Sequence, residues 1–224
     1  MLSAAARRME VAADNIANMT TPGFKSHMSF SAYVDSNSIG EVDAQAGSSL
    51  DMADGKLLNT GNKLDMAVSG DGFFVVRSGD TLLYTRNGQF RRDGDGHIVT
   101  ASGMILQTSA GDGAVQTDNF TVAGDGKINE LGKDLGQIAL VSFRDPASLR
   151  IVEGGYYAAP AASAEIVSAP HVVQGALEQS NTSDATQMLA LMGAVRSAEG
   201  GQHIVQVYDD LLQQAAGLFG ARQG

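Results

Sequence analysis

Gly-Asp-Gly occurs four times, at residues 70–72, 94–96, 111–113 and 124–126, so carboxylates in tight loops are the first candidates for chemistry. Asp93-Gly94-Asp95-Gly96 imitates the opening of a calcium loop. His97 and Ile98, however, stand where the next oxygen ligand and the required glycine belong, and no glutamate follows in place. Asp-Gly is equally the dipeptide of hairpin turns, and that reading accounts for all four occurrences. The histidines, His27, His97, His171 and His203, are scattered, with none paired at metal-binding spacing. There is no Gly-x-Ser-x-Gly elbow, and Gly61-Asn62-Lys63 lacks the spacing and hydroxyl of a phosphate-cradling loop. A glycosidase pair among the 25 acids would leave no local signature, and nothing supports one. The expectation is a protein that is not an enzyme, with no cofactor and no metal.

The elements around these loops are mostly short strands. Leu64 to Val68, Phe73 to Arg77, Thr81 to Thr85, Gln89 to Arg91, His97 to Thr100 and Met104 to Gln107 follow one another with Gly-Asp turns between them. Phe120 to Val122, Lys127 to Asn129 and Ile138 to Phe143 continue the pattern. Strands spaced at roughly eight to twelve residues predict an all-β middle. Asn87-Gly88 predicts a tight hairpin in which both central residues take positive φ. The 27 glycines in 224 residues exceed the usual share of roughly 7% and fit many tight turns. Residues 23–55 are Ser-rich and aperiodic, an extended connector with a strand piece near 30–34.

The two ends differ from the middle. Leu2, Ala5, Met9, Ala12, Ile16 and Met19 step by three and four, one apolar stripe of a helix stopped at Thr21-Pro22-Gly23. Leu191, Ala198, Val205, Leu212 and Phe219 recur every seven residues, with Met188, Val195, Tyr208 and Ala215 three or four away. Both are seam patterns of a coiled coil. Isolated helices of this length need a partner surface. The two could satisfy each other within the chain, or pack against neighbouring subunits. Asn181, Ser183 or Asp184 can cap the second helix, and Gly200-Gly201 costs it about 2 kcal/mol relative to two alanines.

The predicted architecture is therefore a mainly β central domain with amphipathic α-helices at both termini that pair as a coiled coil on assembly. Its divisions are 1–22 (N-terminal axial helix), 23–55 (extended connector), 56–158 (central β domain), 159–178 (extended link) and 179–219 (C-terminal axial helix). The assembly seam would comprise Leu2, Met9, Ile16, Leu191, Val195, Val205, Tyr208 and Leu212. A formal charge of −10 and a pI near 4.7 argue against a nucleic-acid partner. No run of 18 apolar residues offers a membrane-spanning segment, and the N-terminus lacks the order of a cleaved secretory signal. Cysteine is absent, so no disulfide or thiolate site holds the fold.

Three separated motifs resemble one family, the bacterial flagellar axial proteins of rod and hook, and within it the proximal rod class. Asn15-Ile16-Ala17-Asn18 followed by Thr21-Pro22-Gly23-Phe24-Lys25 is similar to its N-terminal signature. Gly70-Asp71-Gly72-Phe73-Phe74-Val75-Val76 with Tyr84-Thr85-Arg86-Asn87-Gly88-Gln89-Phe90 is similar to its core motif. Gly175-Ala176-Leu177-Glu178-Gln179-Ser180-Asn181 resembles the opening of its C-terminal helix. The motif residues carried over are Asn15, Ala17, Asn18, Gly23, Phe24, Gly72, Phe73, Phe74, Arg86, Gly88, Phe90, Leu177, Ser180 and Asn181. The resemblance implies a structural subunit without catalysis that polymerises with other proximal and distal rod proteins and with copies of itself. It also implies passage through the flagellar type III export apparatus without a cleaved signal, a place in the periplasmic rod, and the transmission of torque. The competing expectation is a secreted β-rich module that binds carbohydrate or protein. With no Trp and five Tyr, stacking faces for it are few.

Overall fold

The structure is a computed structural model that describes residues 2–29, 48–145, 148–152 and 154–220. The strand piece expected near 30–34 lies outside the described residues. The fold is mainly β with a helix at each end, and it divides into two compact units. One comprises Met1–Ala17, His27–Ser48 and Ser183–Gly224; the other comprises Asn18–Ser26 and Ser49–Thr182.

The helical unit contains α1 (Leu2–Ala17), strand β1 (His27–Ser29) and α2 (Asp184–Gly220). Asn15, in the last turn of α1, donates to Gln187 in the first turn of α2 at 3.1 Å. The helices then pack along each other in antiparallel sense. The packed face is built of small residues: Ala5 and Ala12 on α1, Ala194 and Gly201 on α2 are buried. Short side chains let two helix backbones approach closely, and this explains why the glycine pair does not interrupt α2. The conformational cost of Gly201 is offset by packing, while a Cβ at Gly200 would meet open space.

In chain order the next strands are β2 (Ser48–Leu50), β3 (Leu57–Asn59), β4 (Met66–Val68), β5 (Phe73–Ser78) and β6 (Thr81–Thr85), of which Ser49 onward belongs to the β unit. There follow β7 (Phe90–Arg92), β8 (Ile98–Thr100), β9 (Ile105–Thr108), β10 (Gly111–Asp112), β11 (Phe120–Val122), β12 (Lys127–Glu130) and β13 (Lys133–Gln137). The last are β14 (Leu140–Phe143), β15 (Arg150–Val152), β16 (Tyr156–Ala158), β17 (Ala164–Ile166), β18 (Val172–Gln174) and β19 (Ala176–Glu178). The main sheet runs β15-β16-β6-β5-β9-β8-β7, with β14 continuing the β9 edge of β5 and carrying β17. Alternation along β5 serves two cores. Phe74 and Val76 join Phe90, Ile98, Leu106, Phe120 and Ile128 on one face. Phe73 and Val75 join Tyr84, Phe143, Leu149 and Tyr157 on the other.

The returning chain then closes the unit. Within 159–178 a short 3-10 turn (Ala161–Ser163) is followed by strands, with β17 pairing β14, β18 pairing β4 and β19 pairing β3, which hydrogen-bonds this stretch back onto the unit. The three-stranded sheet β11-β12-β13 contributes Phe120 and Ile128 to the first core. Its hairpin tip holds Leu131 at φ 52°, the one non-glycine residue with positive φ among those described. That conformation costs a β-carbon residue about 1–2 kcal/mol.

The Asn87-Gly88 hairpin is corrected. Neither residue has positive φ, and β6 and β7 do not pair with each other. The segment instead crosses from one part of the sheet to another, with Gln89 bridging Asp65.

Two outcomes follow for the helical unit. Gly200→Ala is expected to raise its stability by up to about 1 kcal/mol, whereas Ala194→Leu overpacks the helix pair and lowers it by about 1–3 kcal/mol; thermal unfolding followed by circular dichroism measures both. Burial pushes the His27 imidazole below its usual range, against the opposing pull of Asp14. The unfolded chain therefore takes up a proton near pH 6.5 before the folded chain does, so stability present above that pH is lost as pH falls through it. The melting temperature should drop on going from about pH 7.5 to about 5.5, and His27→Gln should reduce the drop.

Candidate functional site

The motif residues that are far apart in sequence converge in the β unit around one carboxylate. Glu178, the last residue of β19, is 2% exposed and sits between two cations, Lys25 (0%) and Arg86 (1%). Lys25 Nζ donates to Glu178 Oε1 at 2.8 Å and to the Ala53 carbonyl at 2.8 Å. Arg86 Nη1 donates to Glu178 Oε2 at 3.4 Å, and Nη2 donates to the Gly70 carbonyl at 2.7 Å. The Gly55 N–H gives Oε1 a second donor at 2.8 Å. Asp54, half exposed, stands 3.8 Å from Lys25 and 3.9 Å from Arg86, so two carboxylates match two cations. The Arg86 guanidinium lies 5.2 Å over the Phe73 ring, while its Nε has no hydrogen-bond partner among the described residues.

Main-chain contacts complete the arrangement. Gly23 N–H donates to the Glu178 carbonyl at 2.7 Å, and Asn181 N–H to the Phe24 carbonyl at 3.3 Å. The Asn181 side chain accepts from Ser26 N–H and donates to the Asp51 and Ala53 carbonyls. It is therefore occupied here rather than capping α2, where Ser183 supplies the carbonyl that Gln187 N–H meets. Three glycines are required here: a Cβ on Gly55 would lie 1.8 Å from the Gln179 carbonyl oxygen, and two more serve the crossing itself. A Cβ on Gly23 would lie 2.2 Å from the Arg86 carbonyl oxygen, and one on Gly88 would lie 1.5 Å from that of Met66. Tyr157 is buried beside the cluster, and loss of solvent pushes its phenol up to about 12.

Thus Gly23, Phe24, Phe73, Arg86, Gly88, Leu177 and Asn181 are brought together at or beside the crossing, while Gly72, Phe74 and Phe90 serve the β core nearby. Ser180 Oγ bonds Thr182 Oγ1, and Asn18 accepts from Thr21. Asn15 works in the helical unit instead, accepting from His27 N–H and donating to the His27 carbonyl, both at 2.8 Å; Ala17 ends α1, exposed. Of the expected seam, Met9, Ile16 and Leu191 are half-buried, and Val195 and Tyr208 are exposed. The side chains of Leu2, Val205 and Leu212 lie outside the described residues.

Lys25, Asp54 and Glu178 were not among the expected site residues. Nothing in a spacing of 153 residues marks Lys25 and Glu178 as partners. Asp93, Asp95 and His97 do gather within 4.8 Å. The Asp93 carboxylate, however, accepts the N–H groups of Asp95 and His97, which is a turn's own wiring. Lys25, Arg86, Asp54 and Glu178 together form a clamp between distant stretches of the chain.

Residues 67–130 match the family described as flagellar hook protein FlgE/F/G D1 domain, and residues 2–25 match the flagella basal body rod protein family. The chain is 29% identical to flagellar basal-body rod protein FlgG of Bacillus subtilis, with 94% of this chain and 93% of that protein aligned. It is 30% identical to flagellar basal-body rod protein FlgF of Mesorhizobium japonicum over 86% of this chain and 83% of that protein. The chain belongs to the flagellar basal-body rod protein family. Flagellar hook protein FlgE of Salmonella typhimurium is 42% identical over a shorter stretch, 47% of this chain and 27% of that protein. In this rod-family member both matched segments supply the clamp, Lys25 from residues 2–25 and Arg86 from residues 67–130.

Glu178→Gln leaves two buried cations without their buried counter-charge and should destabilise the β unit by about 3–5 kcal/mol. Lys25→Met should cost less, because Glu178 keeps Arg86. Urea unfolding of the two variants orders them, and equal losses would contradict the shared-carboxylate account.

Proposed function

We propose that the chain is a structural subunit of the proximal rod of the bacterial flagellar basal body, polymerising with other proximal and distal rod proteins and with its own copies to transmit torque. Membership of the rod family supports a mechanical role. The observation that carries the reading is the clamp itself. It holds side by side the two segments that lead into α1 and α2, residues 23–26 and 176–181, against the Arg86 crossing. A subunit loaded through its terminal helices needs its two exits fixed to a rigid body, and a buried ion pair with matched glycine contacts does that.

The second support is the apolar surface left on α2. Leu189 (70%), Met192, Ile204, Val207 and Tyr208 (62%) are exposed, far more apolar surface than a helix in water needs. In the rod, α1 and α2 would pair with those of neighbouring subunits as a coiled coil, burying the seam of Leu2, Met9, Ile16, Leu191, Val195, Val205, Tyr208 and Leu212. Each large side chain so buried contributes about 1.5–3 kcal/mol. On this reading 1–22 and 179–219 are the axial helices, 23–55 and 159–178 the connections, and 56–158 the central β domain. The sequence Leu140-Val141-Ser142-Phe143-Arg144-Asp145-Pro146-Ala147-Ser148-Leu149 and the short middle domain favour rod protein F over rod protein G. No described helix is long and apolar enough to cross a membrane. Delivery would be through the flagellar export apparatus, without signal cleavage, to the periplasm.

Tyr208→Asp and Leu212→Asp are expected to leave the β unit folded and to abolish swimming in cells that carry only the variant, with basal bodies that lack a complete rod. Normal motility in both would refute the role of the seam.

A further inference from the structure

Two features of the β unit are unexplained by the clamp or the helices. The first is Leu131. It occupies a left-handed position at the tip of the β12–β13 hairpin, where Asn, Asp or Gly sits without strain, and it is 71% exposed. A leucine there gives up both backbone comfort and burial, and an observed strain of this kind points to a contact made elsewhere. The second is a cleft of about 380 Å³ lined by Met52, Asp71, Phe73, Ser142, Phe143 and Arg144, in which the two rings are almost wholly buried and Asp71 and Arg144 are exposed. This volume lies at the small end of the range for binding pockets, enough for one branched aliphatic side chain and its turn.

The two features suit each other but cannot meet within one molecule. The hairpin belongs to the three-stranded sheet that packs on the Phe74 face of β5, whereas Phe73 and Phe143 belong to the opposite face. Charge is complementary as well. Leu131 is followed by exposed Lys133 and Asp134, and the cleft lining includes exposed Asp71 and Arg144, the latter beside Glu165 at 2.7 Å. A knob on one face and a hole on the other make a head-to-tail contact, which propagates in an open array rather than closing as a dimer.

We propose that Leu131 of one copy inserts into the Phe73–Phe143 cleft of the next copy, with Lys133 meeting Asp71 and Asp134 meeting Arg144. The contact rests on the rod reading for its geometry, and its occupant is a second copy of this chain.

The chain has no cysteine, so engineered thiols report without interference. Full-length Leu131→Cys protein is mixed with full-length Ser142→Cys protein and oxidised; Leu131→Cys mixed with Ser78→Cys, a thiol at the distant end of β5, is the control. The expected result is a disulfide-linked heterodimer several-fold more abundant than in the control mixture. Adding Lys133→Glu to the first protein should reduce it, and adding Asp71→Lys to the second should restore it. A yield equal to the control, or one indifferent to these charge changes, would overturn the contact. Leu131→Asn, which suits the left-handed turn, should keep the melting temperature while impairing motility; full motility would also overturn it. If Tyr208→Asp blocks motility while the cross-link stays at the control level, the rod reading stands and this contact is wrong. If the cross-link forms and Tyr208→Asp cells swim, the contact stands as self-association and the rod reading falls.

Discussion

The carboxylate of Glu178 is the constraint on which the remainder depends. It is the one buried counter-charge shared by Lys25 and Arg86, and each belongs to a different stretch of the chain. Desolvating three charges is costly, and a buried ion pair rarely adds much net stability over an apolar substitute. Its effect is on uniqueness. If β19 slipped along β3 by one residue, Glu178 would point to the opposite, apolar-lined side of the strand and leave two cations stranded. The register of the closing strand and the position of the N-terminal segment are therefore set together.

This joint constraint explains why the glycines at the crossing cannot be exchanged for alanine. Gly23 and Gly88 lie where main chain touches main chain, and the clamp holds those main chains together. Closing a contact between residues 25 and 178 costs entropy that grows only slowly with separation. A long-range clamp is thus thermodynamically accessible. The two cores on either face of β5 supply the rigid body against which the clamp holds.

The helical unit follows another logic. Its internal face uses Ala5, Ala12, Ala194 and Gly201, which permit close approach but remove little apolar surface from water. Its larger side chains, Leu189, Met192, Ile204, Val207 and Tyr208, remain exposed. Burial energy scales with area, so the helices hold more of it in reserve than they use within one chain. That balance suits a protein whose terminal helices find their stability in an assembly.

Period and turn chemistry are local, so the sequence alone determined the helices at both ends, the short strands from Leu64 to Phe143, the Gly-Asp turns at 94–96 and 124–126 and the family. Gly111-Asp112, by contrast, lies in strand β10 instead of a turn, and 70–72 joins two strands that do not pair. Three things were beyond its reach. Asn87-Gly88 reads as a hairpin by local rules, yet Gly88 is needed because Met66 passes against it, a contact between distant main chains. Ala194 and Gly201, not Val195, face α1, because helix rotation is chosen by the partner's shape and not by hydrophobicity alone. Lys25 and Glu178 look like ordinary surface charges in a chain of 40 ionised side chains, 15 basic and 25 acidic. Only tertiary structure decides which charges lose their water, because desolvation depends on what packs around a group and the linear chain does not carry that information.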